Sequence, residues 1–300
     1  MKLKTTYQSV SVATLLLCVL SGCSDSSSVP SPKTEGHELV LRAYSGNLAS
    51  QEAVAGSVCF AKGSESGKYT EIWEAFVASD GKVGWKTPKY YPHDDSPVFL
   101  RGFAPVGELS EEGEGDISYR IDGRQDIQIT LEQRGSLTDM FWQTDKSFEF
   151  VHLLSQLRFR VCCDETGEMN GWKLTRLLAE GVQSEARLSL AEQSLSFSGE
   201  PGEMSVDMKP LPLGQEWSDV SGVIMLQPGV PVSLTVVVED SHGVATRFEH
   251  LPVAFAEEGG LPLAGTSYLL SVTLRGEGGS SLSARVAEWK RGNNGTGVID

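Results

Sequence analysis

Short runs of alternating apolar and polar residues follow one another along most of this 300-residue chain. The pattern is clearest where Leu157, Phe159 and Val161 alternate with two arginines. A period of two places successive side chains on opposite faces of an extended strand. We therefore predict a half-buried strand within residues 148–163.

The same alternation recurs in three later runs, at residues 231–238, 268–274 and 282–286. Seven earlier runs, separated by Gly, Asp, Asn and Pro clusters, form a first group. They lie at residues 38–44, 57–61, 69–77, 82–86, 98–103, 117–121 and 126–131. The nearest candidate for an amphipathic helix is the segment 172–180, and a strand fits it about equally well.

Many short strands at roughly ten-residue spacing favour β-sandwiches. Seven strands in about 110 residues are enough for one sandwich, so we place a domain boundary near residue 147, with a position about ten to twenty residues later as the alternative. The sequence predicts an all-β protein with two sandwiches in tandem, at residues 37–147 and 148–300. The expected core positions are Leu157, Phe159, Val161, Leu234, Val236, Val238, Leu270, Val272 and Leu274.

The first residues have the pattern of a signal peptide. Lys2 and Lys4 precede an apolar run at residues 10–20. Eleven residues of helix rise only ~16 Å, which is too short for a hydrocarbon core of roughly 30 Å. We therefore predict that residues 1–22 are an export signal.

The cleavage region, Leu20-Ser21-Gly22-Cys23, resembles the lipobox of bacterial lipoproteins. The resemblance implies cleavage before Cys23, lipidation (palmitate) of that cysteine and anchoring to a membrane. The alternative is a secretory signal that happens to contain a cysteine. Residues 23–36 are rich in Ser and Pro, so we expect a flexible tether.

The formal charge of −15 becomes −17 when Lys2 and Lys4 leave with the signal. Such an acidic exported protein is a poor candidate for binding nucleic acid or an anionic membrane surface. Two of the five cysteines, Cys18 and Cys23, belong to the signal and the anchor. An odd number, Cys59, Cys162 and Cys163, remains in the body, so we expect small buried side chains and no disulfide framework.

Three groups of residues carry potential chemistry, and none has the spacing of a known site. His93, Asp94 and Asp95 are interpreted as a solvated turn, and residues 111–116 as an exposed acidic loop without the ligand spacing that calcium needs. Cys162 and Cys163 lack a base held by a third group. The sequence therefore predicts no catalytic residue, no metal, no cofactor and no enzyme activity.

The six tryptophans, Trp73, Trp85, Trp142, Trp172, Trp217 and Trp289, are dispersed, which favours core or half-buried roles. Exposed aromatic rings in one plane could instead stack on sugars. This keeps open an alternative function, a surface glycan-binding lipoprotein.

Residues 148–161, 261–274 and 284–292 resemble, in order, segments of the fimbrillin family, the pilus-forming lipoproteins of Bacteroidota (type V pili). Residues 99–105 and 116–129 fit more loosely. The resemblance implies two transthyretin-like β-sandwich domains and assembly by strand exchange. In such assembly a protease removes the first strand of a lipidated precursor, and a neighbouring subunit's C-terminal strand fills the groove.

Family cleavage commonly follows an arginine near the first strand. Arg42 and Ala43 occupy a suitable place, which makes them the candidate cleavage site. The candidate exchangeable strand includes Leu39, Val40 and Leu41. Leu39 and Leu41 share one parity, so one side of this strand is expected to pack while the other stays partly solvated.

Val298 and Ile299 are the candidate donor tail, and residues 282–289 are the alternative donor. The resemblance also implies a structural, tip or accessory subunit of surface fimbriae that supports adhesion. Its partners would be other fimbrial subunits, the outer membrane through the lipid anchor, and a host or bacterial surface ligand.

Overall fold

The structure consists of β-strands, as the alternating pattern predicted, and these strands form several sheets. The computed structural model describes residues 36–45, 56–110, 115–143, 146–165, 168–255, 259–275 and 280–287. These residues form strands and loops and contain no helix, so none of them forms a helix that could span a membrane. The all-β prediction is confirmed for this part of the chain.

Nine strands lie in the first half of the chain. They are Ala43–Ser45 (β1), Gly56–Gly63 (β2), Glu71–Val77 (β3), Val83–Trp85 (β4), Val98–Ala104 (β5), Asp116–Arg120 (β6), Gln128–Ile129 (β7), Gln133–Gly135 (β8) and Phe148–His152 (β9). Eight of these form one sheet in the order β1-β9-β7-β5-β2-β3-β4, with β8 also paired to β5.

Eleven further strands follow. They are Ser155–Cys163 (β10), Lys173–Val182 (β11), Glu185–Ser189 (β12), Ser194–Ser198 (β13), Gly202–Ser205 (β14), Leu211–Pro212 (β15), Ser218–Leu226 (β16), Ser233–Glu239 (β17), Ala245–Pro252 (β18), Ser267–Leu274 (β19) and Ser280–Ala287 (β20). A four-stranded sheet has the order β16-β10-β19-β20, and a five-stranded sheet has the order β14-β11-β17-β18 with β15 paired to β11.

The buried apolar side chains form two hydrophobic cores. One lies on a single face of the eight-stranded sheet, and the other extends from the opposite face of that sheet through the later sheets. Strand β2 supplies both, because Val58 and Phe60 belong to the first core while Cys59 and Ala61 belong to the second. This two-sided burial explains why β2 reads as a continuous apolar run.

All nine core positions expected from the alternation are buried. Phe159 shows why, because it lies on β10, which pairs with β16 on one side and β19 on the other. Its ring is therefore enclosed within the larger core, while Arg158 and Arg160 remain half-buried on the other face.

Residues 148–163 contain two strands in different sheets. Residues Phe148–His152 form β9, which pairs with β1 and β7 of the first sheet. The chain passes to the next sheet only after Leu153 and Leu154, since β10 begins at Ser155. The buried positions change parity at this crossover, from Phe148 and Phe150 before it to Leu157 and Phe159 after it.

A fourth, three-stranded sheet joins the two halves of the chain. Its order is β13-β12-β6, so β6 from the first half pairs with β12 from the second over five residues. Arg187 and Asp116 form an ion pair at one end of this pairing, with 2.7 Å between Nε and Oδ2. Buried Arg101 strengthens the junction, because its guanidinium donates to the carbonyls of Leu190 and Ala191.

Candidate functional site

The first segment of the described chain closes the eight-stranded sheet. Ala43–Ser45 pairs in parallel with Phe148–Phe150 at one end of the sheet order. The preceding residues run antiparallel to the segment around β4, at the other end, through the bridges Arg42↔Lys82 and Glu38↔Tyr90. One short stretch of chain therefore links both ends of the sheet.

Besides the β1–β9 ladder, five backbone hydrogen bonds hold this first segment. Each joins it to residues 81–91 or to β9. The bonds are Ala43 N to Gly81 O (2.8 Å), Val83 N to Leu41 O (3.1 Å), Leu39 N to Lys89 O (2.7 Å), Tyr91 N to His37 O (3.0 Å) and Phe148 N to Arg42 O (2.9 Å).

Its side chains alternate as the sequence predicted. Leu39 and Leu41 are each 1% exposed and belong to the core on the inner face of the sheet, whereas Val40 and Arg42 are exposed. Ala43 is fully buried in the same core. One side of the segment is thus a packed apolar strip, and the other faces solvent.

Tyr44, which follows the buried Ala43, also contacts the segment before β4. Its ring lies against Gly81, where a Cβ atom would come within 2.5 Å of the ring. Gly81 also has a φ of +81°, a conformation that L-residues rarely adopt. The turn before β4 therefore requires glycine for its backbone and for the ring that packs on it.

The pairing around β4 is interrupted. Glu38 and Arg42 are four residues apart, but their partners Tyr90 and Lys82 are eight apart. The partner segment therefore carries four extra residues between the two bridges. In this interval the indole N–H of Trp85 donates to the backbone oxygen of Leu39 at 2.7 Å. Nothing in the sequence pattern identified this role of Trp85.

The candidate cleavage bond lies inside the paired segment. The Arg42 side chain is exposed, but its carbonyl accepts from Phe148 N and the next amide, of Ala43, donates to Gly81 O. A protease that binds its substrate as an unpaired extended strand would need these bonds to open first. Arg42 is also the only Arg or Lys between Lys33 and Lys62.

Asp94 and Asp95, which the sequence singled out, accept hydrogen bonds that stabilise loops. Hydrogen bonds from Thr138 (N and Oγ1, 3.0 and 2.8 Å) lower the pKa of Asp95, and bonds from Ser96 lower the pKa of Asp94. The acidic stretch 111–114 lies outside the described residues. Across the part of the chain that is described, no group of three His, Cys, Asp or Glu could hold a metal ion.

The three body thiols are free and buried. Burial raises the pKa of Cys59 to about 11 and also raises the pKa of Cys163, so these thiols stay protonated near neutral pH. His152 Nδ1 lies 2.8 Å from Asp126 Oδ1, and Cys162 Sγ lies 3.7 Å from Thr273 Oγ1. The structure therefore shows packed thiols, although the absence of catalysis stays a prediction.

The described tryptophans do not form an exposed plane. Trp73, Trp85 and Trp172 pack against the two cores. Trp142 and Trp217 are 56% and 43% exposed, and the Arg160 guanidinium covers the Trp217 ring at 4.4 Å from its centroid. Within the described ranges, no ring–ring contact joins two exposed aromatic residues.

Three predicted site residues, Cys23, Val298 and Ile299, lie outside the described residues. The alternative donor is partly described: its residues 282–287 belong to β20, which pairs with β19 at the edge of the four-stranded sheet.

Comparison with solved structures relates the fold to known proteins. A protein from Bacteroides uniformis ATCC 8492, provisionally named a cell adhesion protein, matches with a TM-score of 0.61 and 18% identity over 84% of this chain and 98% of that chain. This fold is shared with cell adhesion and fimbrial proteins of Bacteroidota. A similarly named protein from Bacteroides ovatus ATCC 8483 gives a TM-score of 0.55 and 11% identity over 85% and 96% of the two chains. A fimbrial protein from Bacteroides vulgatus ATCC 8482 gives a TM-score of 0.52 and 12% identity over 84% of this chain and 99% of that chain.

No protein-family model matches the chain, and the search of curated proteins found no match.

Proposed function

We propose that this protein is a structural, tip or accessory subunit of surface fimbriae, and that it assembles by exchanging its first strand. The main observation in support is the first segment. Its leucines belong to an apolar core, and its backbone is hydrogen-bonded to strands at both ends of the sheet. The shared fold with cell adhesion and fimbrial proteins supports the same role.

The proposal includes two transthyretin-like sandwiches in tandem, with the crossover at Leu153 and Leu154. It also includes a lipid-anchored precursor at the outer membrane, from which the mature subunit joins a fimbrium at the cell surface. Adhesion to a host or bacterial ligand would then be a property of the assembled fibre.

Cleavage after Arg42 would create the acceptor groove. It would release Leu39 and Leu41, and burial of each leucine is worth about 1.5–3 kcal/mol. Their loss would also leave unpaired backbone groups on residues 83–91, which are costly to bury without partners. An incoming strand with apolar residues at alternate positions would restore both the packing and the hydrogen bonds.

Ala43 would stay behind after this cleavage. It is fully buried, and β1 would remain paired with β9. The new N-terminus would therefore lie at the end of the groove, next to the position of the removed carbonyl.

Particle size after cleavage tests the proposal. Purified full-length protein is treated with an Arg-specific protease, and its mass is followed by light scattering. We expect linear polymers from the protein cut after Arg42. The matched control is Arg42→Lys, which keeps the charge but resists the protease at this position and should stay monomeric. A folded, cut protein that remains monomeric at high concentration would overturn the proposal.

A second variant identifies the donor. Removing Val298 and Ile299 from the cleavable chain should stop polymer growth if the tail is the donor. Polymers that persist would assign the donor to residues 282–289.

A further inference from the structure

The interruption opposite the first strand leaves one carbonyl without a backbone partner. In a regular antiparallel ladder, the backbone groups of Leu39 and Leu41 that point toward β4 would meet backbone groups there. The Leu41 carbonyl does so, because it accepts from Val83 N. At the Leu39 carbonyl the partner segment has bulged away, and the indole of Trp85 supplies the donor instead.

Trp85 is fixed in place by its neighbours. It ends β4, where it is the register partner of Ala75. Its ring meets Phe60 and Trp73 edge to face, with centroid distances of 5.4 and 5.8 Å. A side chain held on two sides presents its N–H in a fixed direction, as a backbone amide does.

We propose that Trp85 is a positioning residue that sets the register of whichever strand occupies this groove. Because this inference rests on the proposed exchange, it covers the precursor's own first strand and the strand that replaces it. The occupant must present a backbone carbonyl to the indole while two apolar side chains enter the positions of Leu39 and Leu41.

These two requirements select the same register. Carbonyls and side chains both alternate in direction along a strand, so a slip of one residue turns the carbonyl away from the indole. The same slip moves the apolar side chains to the solvent face. Packing alone would penalise the slip, and the indole adds a directional hydrogen bond at a point where the backbone ladder is interrupted.

The test compares two tryptophans in the same core. Trp85→Phe keeps an aromatic ring but removes the donor to Leu39. Trp73→Phe is the matched control, because it keeps an aromatic ring against Trp85 and removes an indole that donates to Glu71 Oε2 at 2.9 Å and not to the first strand. In uncut full-length protein, the rate of cleavage after Arg42 by an Arg-specific protease reports local opening of the strand.

We expect Trp85→Phe to speed this cleavage about fivefold relative to Trp73→Phe at equal stability to urea. Fivefold corresponds to about 1 kcal/mol, the typical net value of one hydrogen bond. A purely structural ring would change both variants alike, so equal cleavage rates would overturn the inference. Since this measurement needs no polymer, a chain that never assembles would refute the proposed function and leave the role of Trp85 in the precursor intact.

A measurement on unsubstituted protein covers the case in which Trp85→Phe does not fold. Hydrogen exchange of the Trp85 indole N–H, followed by NMR, should be slow in the uncut chain and at least tenfold faster in protein that lacks the residues through Arg42 and is kept dilute enough to stay monomeric. Fast exchange in the uncut chain would overturn the inference.

Discussion

At the scale of single residues, position on a strand decides what each side chain does. On β10, Phe159 enters the larger core, while Arg160 on the opposite face donates to Ser271 Oγ at 2.6 Å and covers Trp217. The polar face is therefore occupied by side chains that satisfy one another. Substitutions on the two faces should have very different consequences.

Changing Phe159 to Ala should lower the free energy of unfolding by about 3–5 kcal/mol, because it leaves a cavity in a closely packed core. The measurement is urea denaturation followed by circular dichroism. Phe76→Ala is the control: this ring is 56% exposed on β3, and we expect a change below about 1 kcal/mol. Equal losses in the two variants would contradict the assignment of Phe159 to the core.

At the scale of elements, one carboxylate holds the β2–β3 hairpin. Glu132 accepts hydrogen bonds from Ser66 Oγ (2.6 Å), Gly67 N (2.9 Å) and Tyr69 Oη (2.5 Å). Partial burial opposes ionisation, but these three hydrogen bonds and the nearby Arg101 outweigh it, so the pKa of Glu132 is lowered. The ionised form is therefore the one that ties the hairpin to the chain before β8.

Glu132→Gln should reduce the free energy of unfolding at pH 7 by about 1–2 kcal/mol, after allowance for solvent screening. Because the pKa is lower in the folded state, this stabilisation is present above the ordinary pKa of 4.5 and is lost as the pH falls through the lowered value. The gap between wild type and variant should therefore close in acid, as measured by urea denaturation from pH 7 to pH 3.

Glu65→Gln is the matched control, because Glu65 pairs with Lys68 at the exposed tip of the same hairpin. We expect no measurable change in its urea midpoint. A gap between wild type and Glu132→Gln that stays constant with pH would show that the carboxylate charge is not responsible.

Strong local alternation made several elements predictable. Strands β10, β17 and β19 were expected because apolar residues occupy every second position over seven or more residues. The ambiguous segment 172–180 is a strand, β11, since it pairs with β17 on one side and with β14 and β15 on the other. Its three leucines fitted a helix as well, and only these distant partners decide between the two.

Other features depend on residues far apart in the chain and had no local signal. The pairing of β6 with β12 joins residues about seventy positions apart. In the candidate site, the parity of Leu39 and Leu41 was predictable from their spacing. The interruption that brings Trp85 to Leu39 was not, because it depends on where two bridges form around a bulged segment.

At the scale of the whole molecule, the lipid anchor stays a prediction, since Cys23 lies outside the described residues. Cys23→Ala should abolish lipid labelling and release the protein from membranes. The measurement is metabolic labelling with palmitate together with membrane fractionation, and Cys59→Ala serves as a control that keeps the anchor. Unchanged membrane association of Cys23→Ala would refute it.

The β6–β12 pairing has a mechanical consequence for the chain under tension. The chain enters β6 at Asp116 and leaves β12 at Ser189, and these two residues are partners at the same end of the ladder. A pull applied to Asp116 and Ser189 would therefore unzip this ladder one pair at a time, starting where Arg187 clamps Asp116. The residues between Arg120 and Glu185 would stay folded when the last pair parts, because β7, β9, β10 and β11 are also paired within the other sheets. The β6–β12 ladder could thus open as a separate step, before the sheets on either side of it unfold.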